Sequence, residues 1–266
     1  MPSTSSGGVL VQRVDQEGLV AELVLDRPEA LNAVSTAQAK AIIEAAEALA
    51  ADPRLRAVVL ASACEKAFCV GADLKERNSF DDEDLWRQRP VIRWLFASIL
   101  DLPVPVIAAV HRHALGGGFE LALSCDLIVA DETAIFGLPE VSVGLVPGGG
   151  GTQLLARRIG SSRAADLIFT ARRVEAAEAA RLGIVDRLVP PGRARRTAAE
   201  IAGQIAANSP IGVRQAKRAL RLGADVELGA GLEIEDAAWR ATAFSPDRRE
   251  GIRAFNEKRP PVWPGE

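Results

Sequence analysis

The chain has 266 residues, of which 48% are hydrophobic and 25% are charged, so it is long enough and apolar enough to bury one large core. This composition excludes intrinsic disorder over most of the length. The formal net charge of -3 argues against nucleic-acid binding over the whole surface, and no apolar run approaches the about 18 residues of a membrane-spanning helix.

The N-terminus and the cysteines bear on where the protein works. Residues 1–8 are rich in Ser and Gly and lack the charged and apolar regions of a secretory signal, so we predict a short disordered tail. The three cysteines, Cys64, Cys69 and Cys125, are odd in number and lack zinc-type spacing. They favour reduced thiols in a cytoplasmic protein, with Cys69 and Cys125 buried as structural thiols.

The predicted elements begin with two strands, at residues 9–14 and 19–25. Ser35 then offers the N-cap of an alanine-rich amphipathic helix that runs to about residue 51. Continuous apolar runs predict three strands covered on both faces, at residues 57–61, 104–110 and 127–130. Helical patterns fill the intervals at residues 85–100 and 119–124. This alternation predicts an α/β fold with a largely parallel sheet and crossover helices.

After about residue 161 the pattern is mainly helical. Predicted helices lie at residues 164–169, 176–182, 194–207, 211–222 and 230–243. Their polar faces are rich in Arg, so these helices could pack on the core or on another subunit.

Glu120 follows a glycine run that leads into an apolar helix. Gly117 lies three residues before it, on the same face of that helix, and its backbone N–H is an available donor to an oxyanion. The alternative is that Glu120 only complements the helix dipole while the glycines allow a tight turn.

A second donor and a second carboxylate follow from two other segments. Asp73 and Glu76 fit a capping box, which places the N–H of Ala72 at the N-terminal edge of a helix, although this segment alone favours an ordinary capped helix. Glu140 follows Pro139 in a predicted loop, where a solvated carboxylate is the alternative. The glycine run at 148–151 lacks the Gly-Lys-Ser/Thr ending of a P-loop. Two carboxylates that converge on one volume can act as general acid and general base, because proximity separates their pKa values.

Seven segments, in this order and spacing, resemble the enoyl-CoA hydratase/isomerase family, or crotonase superfamily. They are RPEALNA at 27–33, GADLK at 71–75, LGGGFEL at 115–121, SCD at 124–126, PE at 139–140, PGGGGTQ at 147–153 and FNEKRP at 255–260. The resemblance covers nearly the whole chain from about residue 9. It implies an α/β spiral of ββα units over residues 9–193 and a C-terminal helical trimerisation region over 194–266, often assembled as a dimer of trimers.

The resemblance also implies a reaction. The N–H groups of Ala72 and Gly117 would form the oxyanion hole for an acyl-CoA thioester, and Glu120 and Glu140 occupy the positions of the two hydratase carboxylates. Other family members usually keep only one of these or replace both. We therefore expect hydration of a 2-enoyl-CoA to a 3-hydroxyacyl-CoA, with Glu120 deprotonating water and Glu140 delivering the proton. No metal or other cofactor is implied, because coenzyme A arrives with the substrate.

Matching positions also predict contacts with coenzyme A. They are Ala33, Lys66, Asp73, Leu74, Lys75, Phe255 and Lys258. The last two match an element that often reaches the coenzyme A of a neighbouring subunit, and for both Lys66 and Lys258 a solvated side chain is the alternative. The chain departs from the family at His111, Arg112 and His113, where Asn or Asp followed by Gly is common. These histidines invite a catalytic or metal-binding interpretation, although a strand end facing the core or the coenzyme A is favoured.

Three other functions compete with a simple enoyl-CoA hydratase. The LKER segment at 74–77, the run at 147–153 and the KRPP ending at 258–261 also look similar to methylglutaconyl-CoA hydratases. A Δ3,Δ2-enoyl-CoA isomerase is disfavoured by the presence of both glutamates. An RNA-associated relative without catalysis is opposed by the acidic composition and the intact glutamate pair. The partners expected are thus an acyl-CoA thioester and copies of the chain in a trimer or hexamer, with neither a membrane nor a nucleic acid.

Overall fold

The computed structural model describes residues 4–265, which form two β-sheets and surrounding helices. The strands are β1 Thr4–Ser6, β2 Val9–Arg13, β3 Val20–Leu25, β4 Ala57–Ser62, β5 Ala67–Cys69, β6 Val106–Val110, β7 His113–Leu115, β8 Leu127–Asp131, β9 Ile135–Gly137, β10 Val174–Glu175 and β11 Arg187–Val189. The helices are α1 Thr36–Ala50, α2 Leu74–Arg77, α3 Asp82–Leu100, α4 Gly117–Leu123, α5 Gly151–Ile159, α6 Ser161–Thr170, α7 Ala176–Leu182, α8 Ala194–Ala206, α9 Pro210–Gly223, α10 Leu228–Ala243 and α11 Pro246–Asn256. Short 3-10 helices lie at Pro28–Ala30 and Glu140–Val143.

The larger sheet has the strand order β1-β2-β3-β4-β6-β8-β11, and it is parallel from β3 onward. The smaller sheet has the order β10-β9-β7-β5. Successive pairs of strands, β4 with β5, β6 with β7 and β8 with β9, each give one strand to the larger sheet and the next to the smaller one. The chain therefore advances as a spiral of two strands and a connecting helical segment, and the predicted α/β spiral is confirmed.

The first strand differs from the sequence-based expectation. Residues 1–3 of the predicted tail lie outside the described residues, but β1 pairs with β2 in antiparallel register, with Ser6 opposite Val9. A disordered tail over residues 4–8 was therefore wrong. The composition of this segment is typical of disorder, but the neighbouring hairpin offers it a free strand edge for backbone hydrogen bonds.

The core has two layers on opposite faces of the larger sheet. One contains the large side chains beneath α1, α3 and α4, such as Leu60, Phe68 and Phe119. The other is a thinner layer between the sheet and α8, whose buried positions are all alanine: Ala194, Ala198, Ala202 and Ala206. These small residues, spaced four apart, let the helix approach the sheet closely. Helix α8 therefore packs on the core, although the boundary predicted at residue 194 assigned it to the C-terminal region. The helices that follow, α9 to α11, lie mainly against one another.

The predicted burial of Cys69 and Cys125 is confirmed, and Cys64 is buried as well. The thiol of Cys69 donates a hydrogen bond to the carbonyl oxygen of Asn32 at 3.0 Å, and burial raises its pKa to about 12. A thiol with so high a pKa is neutral and unreactive near pH 7, which agrees with a structural role. Among the described residues, no helix is both long and apolar enough to cross a membrane.

Candidate active site

The segment around Gly71 lies against the turn that begins α4. A Cβ atom on Gly71 would lie 2.9 Å from the carbonyl oxygen of Leu115 and 3.1 Å from the backbone nitrogen of Gly117, and its φ is 93°. The 2.9 Å approach to a backbone oxygen and the positive φ together exclude a side chain at this position. The ends of β5 and β7 are parallel neighbours in the smaller sheet, so these segments leave the sheet on the same side. Glycine is therefore what allows the two backbones to meet.

The two predicted donors face one region. The backbone nitrogen of Ala72 lies 3.9 Å from the position that a Cβ atom on Gly117 would occupy. Neither N–H donates a hydrogen bond to another atom of residues 4–265, whereas on either side of Ala72 the Gly71 carbonyl and the Asp73 N–H are both bonded to Val34. Gly117 is the first residue of α4, where an N–H has no partner within the helix. Two unpaired donors from different elements thus lie close together, which is the requirement for an oxyanion hole.

Glu120 is buried on α4, with 3% of its surface exposed. Its Oε1 accepts hydrogen bonds from the N–H groups of Gly149 and Gly151, at 2.7 and 2.8 Å. Gly151 begins α5, so the carboxylate also meets the positive end of a helix dipole. Burial raises the pKa of Glu120, but the two N–H donors and the charges of Arg89 and Arg77 oppose that rise. The glycine run at 148–151 therefore binds a carboxylate of its own chain.

Glu140 begins a 3-10 helix and is only partly buried. A Cβ atom on Gly116 would lie 2.9 Å from its Oε1, and its Oε2 is buried without a hydrogen-bond partner among the described residues. Burial raises the pKa of Glu140 to about 7, and the negative charge of Glu120 contributes to the rise. A carboxyl group of this kind exchanges a proton near neutral pH.

Gly116 connects these features, because it lies between the oxyanion donors and Glu140. Its φ of 53° would strain other residues, and a Cβ atom there would displace the nearby Glu140 oxygen. The arrangement places two backbone donors, a carboxylate held by N–H groups and a carboxyl with a raised pKa around one small volume. Such a site can stabilise a developing oxyanion while it removes one proton and supplies another.

Three residues of the site were missed by the sequence reasoning. Phe96 of α3 packs between the two glycine segments: its ring lies 3.7 Å from a Cβ position on Gly117 and 2.2 Å from one on Gly149. Arg89 donates a hydrogen bond to the carbonyl oxygen of Gly148 at 2.9 Å, and Arg77 ends α2. Phe96 and Arg89 gave no signal beyond membership of a predicted helix, and Arg77 was noted only as part of the LKER segment at 74–77, so no signal selected these side chains for the site.

Four of the residues predicted to contact coenzyme A lie beside the Ala72 segment or within it. Arg27 donates to the Ala33 carbonyl and to the Asp73 carboxylate, both at 2.8 Å, which brings Ala33 beside the Ala72 segment. Leu74 and Lys75 are exposed on α2 immediately after Ala72.

The other three residues predicted to contact coenzyme A are farther from this cluster. Lys66 is exposed before β5, without a side-chain hydrogen bond inside the described chain. Phe255 is 83% exposed on α11, which packs on α10, and Lys258 follows the same helix. Among the described residues of one chain, therefore, neither Phe255 nor Lys258 forms a hydrogen bond or an ion pair with the Ala72 segment.

Asp73 and Glu76 do not close the predicted capping box. The Asp73 side chain accepts from the N–H groups of Lys75 and Glu76, as a cap should, and the pair with Arg27 helps to hold the pKa of this buried carboxyl below its usual range despite its burial. The Glu76 carboxylate, however, accepts from the N–H of Thr36 at 2.9 Å instead of from Asp73. Asp73 therefore caps α2 as predicted, whereas Glu76 connects α2 to the start of α1.

The segment that departs from the family pattern has an unusual backbone. Arg112 has a φ of 51°, in the left-handed region that glycine usually occupies. A ring nitrogen of His111 lies 2.8 Å from the Cys64 carbonyl oxygen, and Nδ1 of His113 is buried without a partner among the described residues. No group of three His, Cys, Asp or Glu side chains within residues 4–265 is placed to hold a metal ion.

Known proteins are similar to this chain in sequence. Residues 15–266 match the family model described as enoyl-CoA hydratase/isomerase. The chain is 44% identical over 246 residues to the Bacillus subtilis (strain 168) protein YngF, provisionally named an enoyl-CoA hydratase/isomerase, covering 92% of this chain and 95% of that one. It is 40% identical to the mitochondrial methylglutaconyl-CoA hydratase of Mus musculus, covering 96% and 83%.

A solved structure is similar over almost the whole chain. The enoyl-CoA hydratase from Bacillus anthracis has a TM-score of 0.94 and 41% sequence identity, over 97% of this chain and 100% of that one. The family model, the relatives and the fold agree: the chain belongs to the enoyl-CoA hydratase/isomerase family, within the crotonase superfamily.

Proposed function

We propose that the protein hydrates the 2,3 double bond of a 2-enoyl-CoA thioester to give a 3-hydroxyacyl-CoA. The observation that carries this proposal is the unequal pair of carboxyl groups beside two unpaired N–H donors. Glu120 is held by two backbone donors that favour its ionised form, while burial raises the pKa of Glu140 to about 7. Hydration needs one base and one acid at adjacent carbons, and this pair supplies both.

The reaction follows from these positions. The Glu120 carboxylate takes a proton from a water molecule, whose oxygen forms a bond to Cβ of the enoyl group. The electrons of the double bond move towards the thioester, and the N–H groups of Ala72 and Gly117 stabilise the enolate oxygen. Each donor of this kind lowers the barrier by about 2.7–4 kcal/mol. Glu140 then delivers a proton to Cα, so the product has gained one water molecule.

Coenzyme A is proposed to enter beside the oxyanion donors. Exposed Leu74 and Lys75, with Ala33 brought close by Arg27, line the approach to Ala72. Asp73 supports this segment as the cap of α2, and Lys66 immediately precedes β5, the strand that leads to it. No further cofactor is needed, because the thioester carries its coenzyme A.

Assembly is proposed to cover the C-terminal helices. An apolar groove of about 1380 Å³ lies between α9, α10 and α11. Trp239 and Leu228 line it with 62% and 78% of their surfaces exposed. Exposed patches of this kind usually mark interfaces, so we propose a homotrimer or a hexamer in which Phe255 and Lys258 contact a neighbour's substrate. Light scattering tests this, and a stable, active monomer would contradict it.

A water-addition assay tests the proposed reaction. Crotonyl-CoA, longer 2-enoyl-CoA thioesters and methylglutaconyl-CoA should be compared by loss of the enoyl absorbance, with the 3-hydroxyacyl product identified by mass spectrometry. Methylglutaconyl-CoA hydration is the second candidate, because the Mus musculus enzyme of that name is 40% identical. Isomerisation of a 3-enoyl-CoA without any hydration would overturn the hydratase assignment.

A further inference from the structure

The peptide group that carries the Ala72 N–H is anchored on its other side. Its oxygen, the Gly71 carbonyl, accepts a hydrogen bond from the N–H of Val34 at 2.7 Å, and the next N–H, that of Asp73, donates to the Val34 carbonyl at 3.0 Å. Because a trans peptide is planar and its C=O and N–H point in opposite directions, this anchor turns the Ala72 N–H away from Val34. The direction of the donor therefore depends on how the Val34 segment lies relative to Asp73.

The side chain of Arg27 joins these two segments. Its Nη1 donates to the carbonyl oxygen of Ala33, the residue before Val34, and to Oδ2 of Asp73, both at 2.8 Å. Asp73 is buried, and its other carboxylate oxygen caps α2. One guanidinium nitrogen thus holds the residue before Val34 and the residue after Ala72.

The backbone of Arg27 is held as well. Its N–H donates to Oδ1 of Asn32 at 2.8 Å, and its carbonyl accepts from the Asn32 N–H at 3.0 Å. Asn32 is fully buried, and its Nδ2 donates to Ser62 at the end of β4 and to the Phe68 carbonyl in β5. The guanidinium therefore extends towards Asp73 from a segment that is fixed to both sheets.

Asp73 transmits a change at Arg27 to the donor. Arg27 is its one ion-pair partner among the described residues, and a buried carboxylate without a partner is costly, so it moves towards water or takes up a proton. Either change weakens its hold on the start of α2 and shifts the adjacent Ala72 peptide. Within the described chain, the one further polar contact of the Arg27 side chain is with Glu29, at 3.5 Å, so Arg27 reaches the site through this peptide.

We propose that Arg27 is a positioning residue for the oxyanion hole, because its bonds to Asp73 and Ala33 keep the N–H of Ala72 directed at the thioester oxygen. This inference deepens the proposed function and rests on it, since it requires that Ala72 donates to a developing enolate. Direction matters because hydrogen bonds weaken steeply as they bend, and a donor of this kind contributes about 10²- to 10³-fold to kcat. Loss of Arg27 forfeits part of that factor.

The carbonyl stretch of a bound thioester tests the donor without using the reaction. Butyryl-CoA with an isotope label in its thioester carbonyl is saturated, so it binds but is not hydrated, and hydrogen bonds to its oxygen lower the stretching frequency. Infrared difference spectra should show this lowering in the wild type and a smaller one in Arg27→Met. Arg27→Lys, which keeps the charge, should retain part of the lowering. Glu29→Gln is the matched control, because the Glu29 side chain is 71% exposed and contacts only Nε of Arg27, and it should give the wild-type frequency.

Kinetics with crotonyl-CoA give a second readout. The oxyanion interaction is strongest in the transition state, so Arg27→Met should lower kcat about tenfold or more and leave KM within about twofold. In the Ala72→Pro background the same substitution should change kcat by less than about twofold, because the donor that Arg27 directs is gone. A raised KM with kcat preserved would identify a contact with coenzyme A and would overturn the positioning role.

The outcomes separate the positioning role from the proposed reaction. An equal frequency lowering in the wild type and Arg27→Met, or an undiminished effect of Arg27→Met in the Ala72→Pro background, would overturn the positioning role while hydration of crotonyl-CoA stands. Absence of hydration by the wild type would overturn the proposed function, and the infrared comparison would still decide whether Arg27 acts on the thioester oxygen. Circular dichroism and the melting temperature check folding. Arg27→Gln, whose amide keeps a donor without the charge, replaces Arg27→Met if that variant does not fold, and the same smaller lowering is expected.

Discussion

Glu120 and Glu140 are the same residue type in the same site, yet they differ in the backbone N–H donors that surround their carboxyl groups. Glu120 is 3% exposed and accepts two backbone N–H groups from the 148–151 loop. Glu140 is more exposed, but one of its oxygens is buried with no donor among the described residues. Burial raises the pKa of both carboxyl groups, but at Glu120 two backbone N–H donors oppose that rise, whereas at Glu140 the negative charge of Glu120 adds to it.

The comparison supports the roles that we propose for the two carboxyl groups. Donors at a helix N-terminus stabilise the ionised Glu120, which suits a base, whereas the unsatisfied oxygen of Glu140 favours the neutral form, which suits an acid. Neighbouring carboxyl groups titrate as a pair, so measured values belong to both. Four experiments test or refine this difference.

Removal of either carboxylate should have the largest effect. We expect Glu120→Gln and Glu140→Gln each to lower kcat by about 10²-fold or more, because each loses one proton transfer. The double variant should lose much less than the product of the two single losses, since the groups act as a unit. Steady-state kinetics with crotonyl-CoA measures all three, and full activity in either single variant would exclude that residue from the chemistry.

Removal of a backbone donor tests whether the oxyanion hole acts apart from the carboxylates. Ala72→Pro deletes the N–H while both glutamates remain, so kcat should fall about 10²- to 10³-fold with acyl-CoA binding retained. Kinetics and calorimetry together measure this, with circular dichroism as the folding control. Unchanged turnover in a folded variant would remove Ala72 from the site.

The pH dependence of kcat/KM should report the protonation of Glu140. Burial raises the pKa of Glu140 to about 7, so as the general acid it loses its proton above that pH, and kcat/KM should then fall about tenfold for each further pH unit. At lower pH, protonation of Glu120 should produce the opposite limb. A profile that rises through pH 7 would instead identify Glu140 as the base.

The smallest effect concerns stability. The pKa of Glu140 is raised from 4.5 to about 7 on folding, so the folded state binds the proton more tightly than the unfolded state. Its favourable contribution is present in full below pH 4.5 and is lost as the pH rises through 7. Glu140→Gln should therefore raise the melting temperature relative to wild type more at pH 8 than at pH 5. Calorimetric scans measure this, and an equal change at both pH values would contradict the raised pKa.

The sequence predicted the elements that its patterns encode directly. The apolar runs at 57–61 and 127–130 became β4 and β8, and Ser35 caps α1 by accepting from the N–H of Gln38. The resemblance selected Ala72, Gly117 and both glutamates, and the structure brings these residues together. Short backbone motifs were readable because glycine permits backbone conformations that other residues avoid, and proline fixes φ.

What the sequence could not predict depends on long-range contacts. The strand at Thr4–Ser6 forms only because β2 offers a free edge, and Glu76 reaches Thr36 instead of completing its own cap. Arg77 and Arg89 approach Glu120 only after α2, α3 and the 148–151 loop have packed. No local pattern specifies which charged residue of an exposed helix face turns towards a site.

The peptide between Gly148 and Gly149 connects the exposed face of α3 to a buried carboxylate. Its oxygen accepts a hydrogen bond from Arg89, and its N–H donates to Glu120. Hydrogen bonds in such a chain polarise one another, so the exposed Arg89 strengthens the N–H donor that holds Glu120. A substitution at the surface of α3 can therefore act on a buried group that it does not touch.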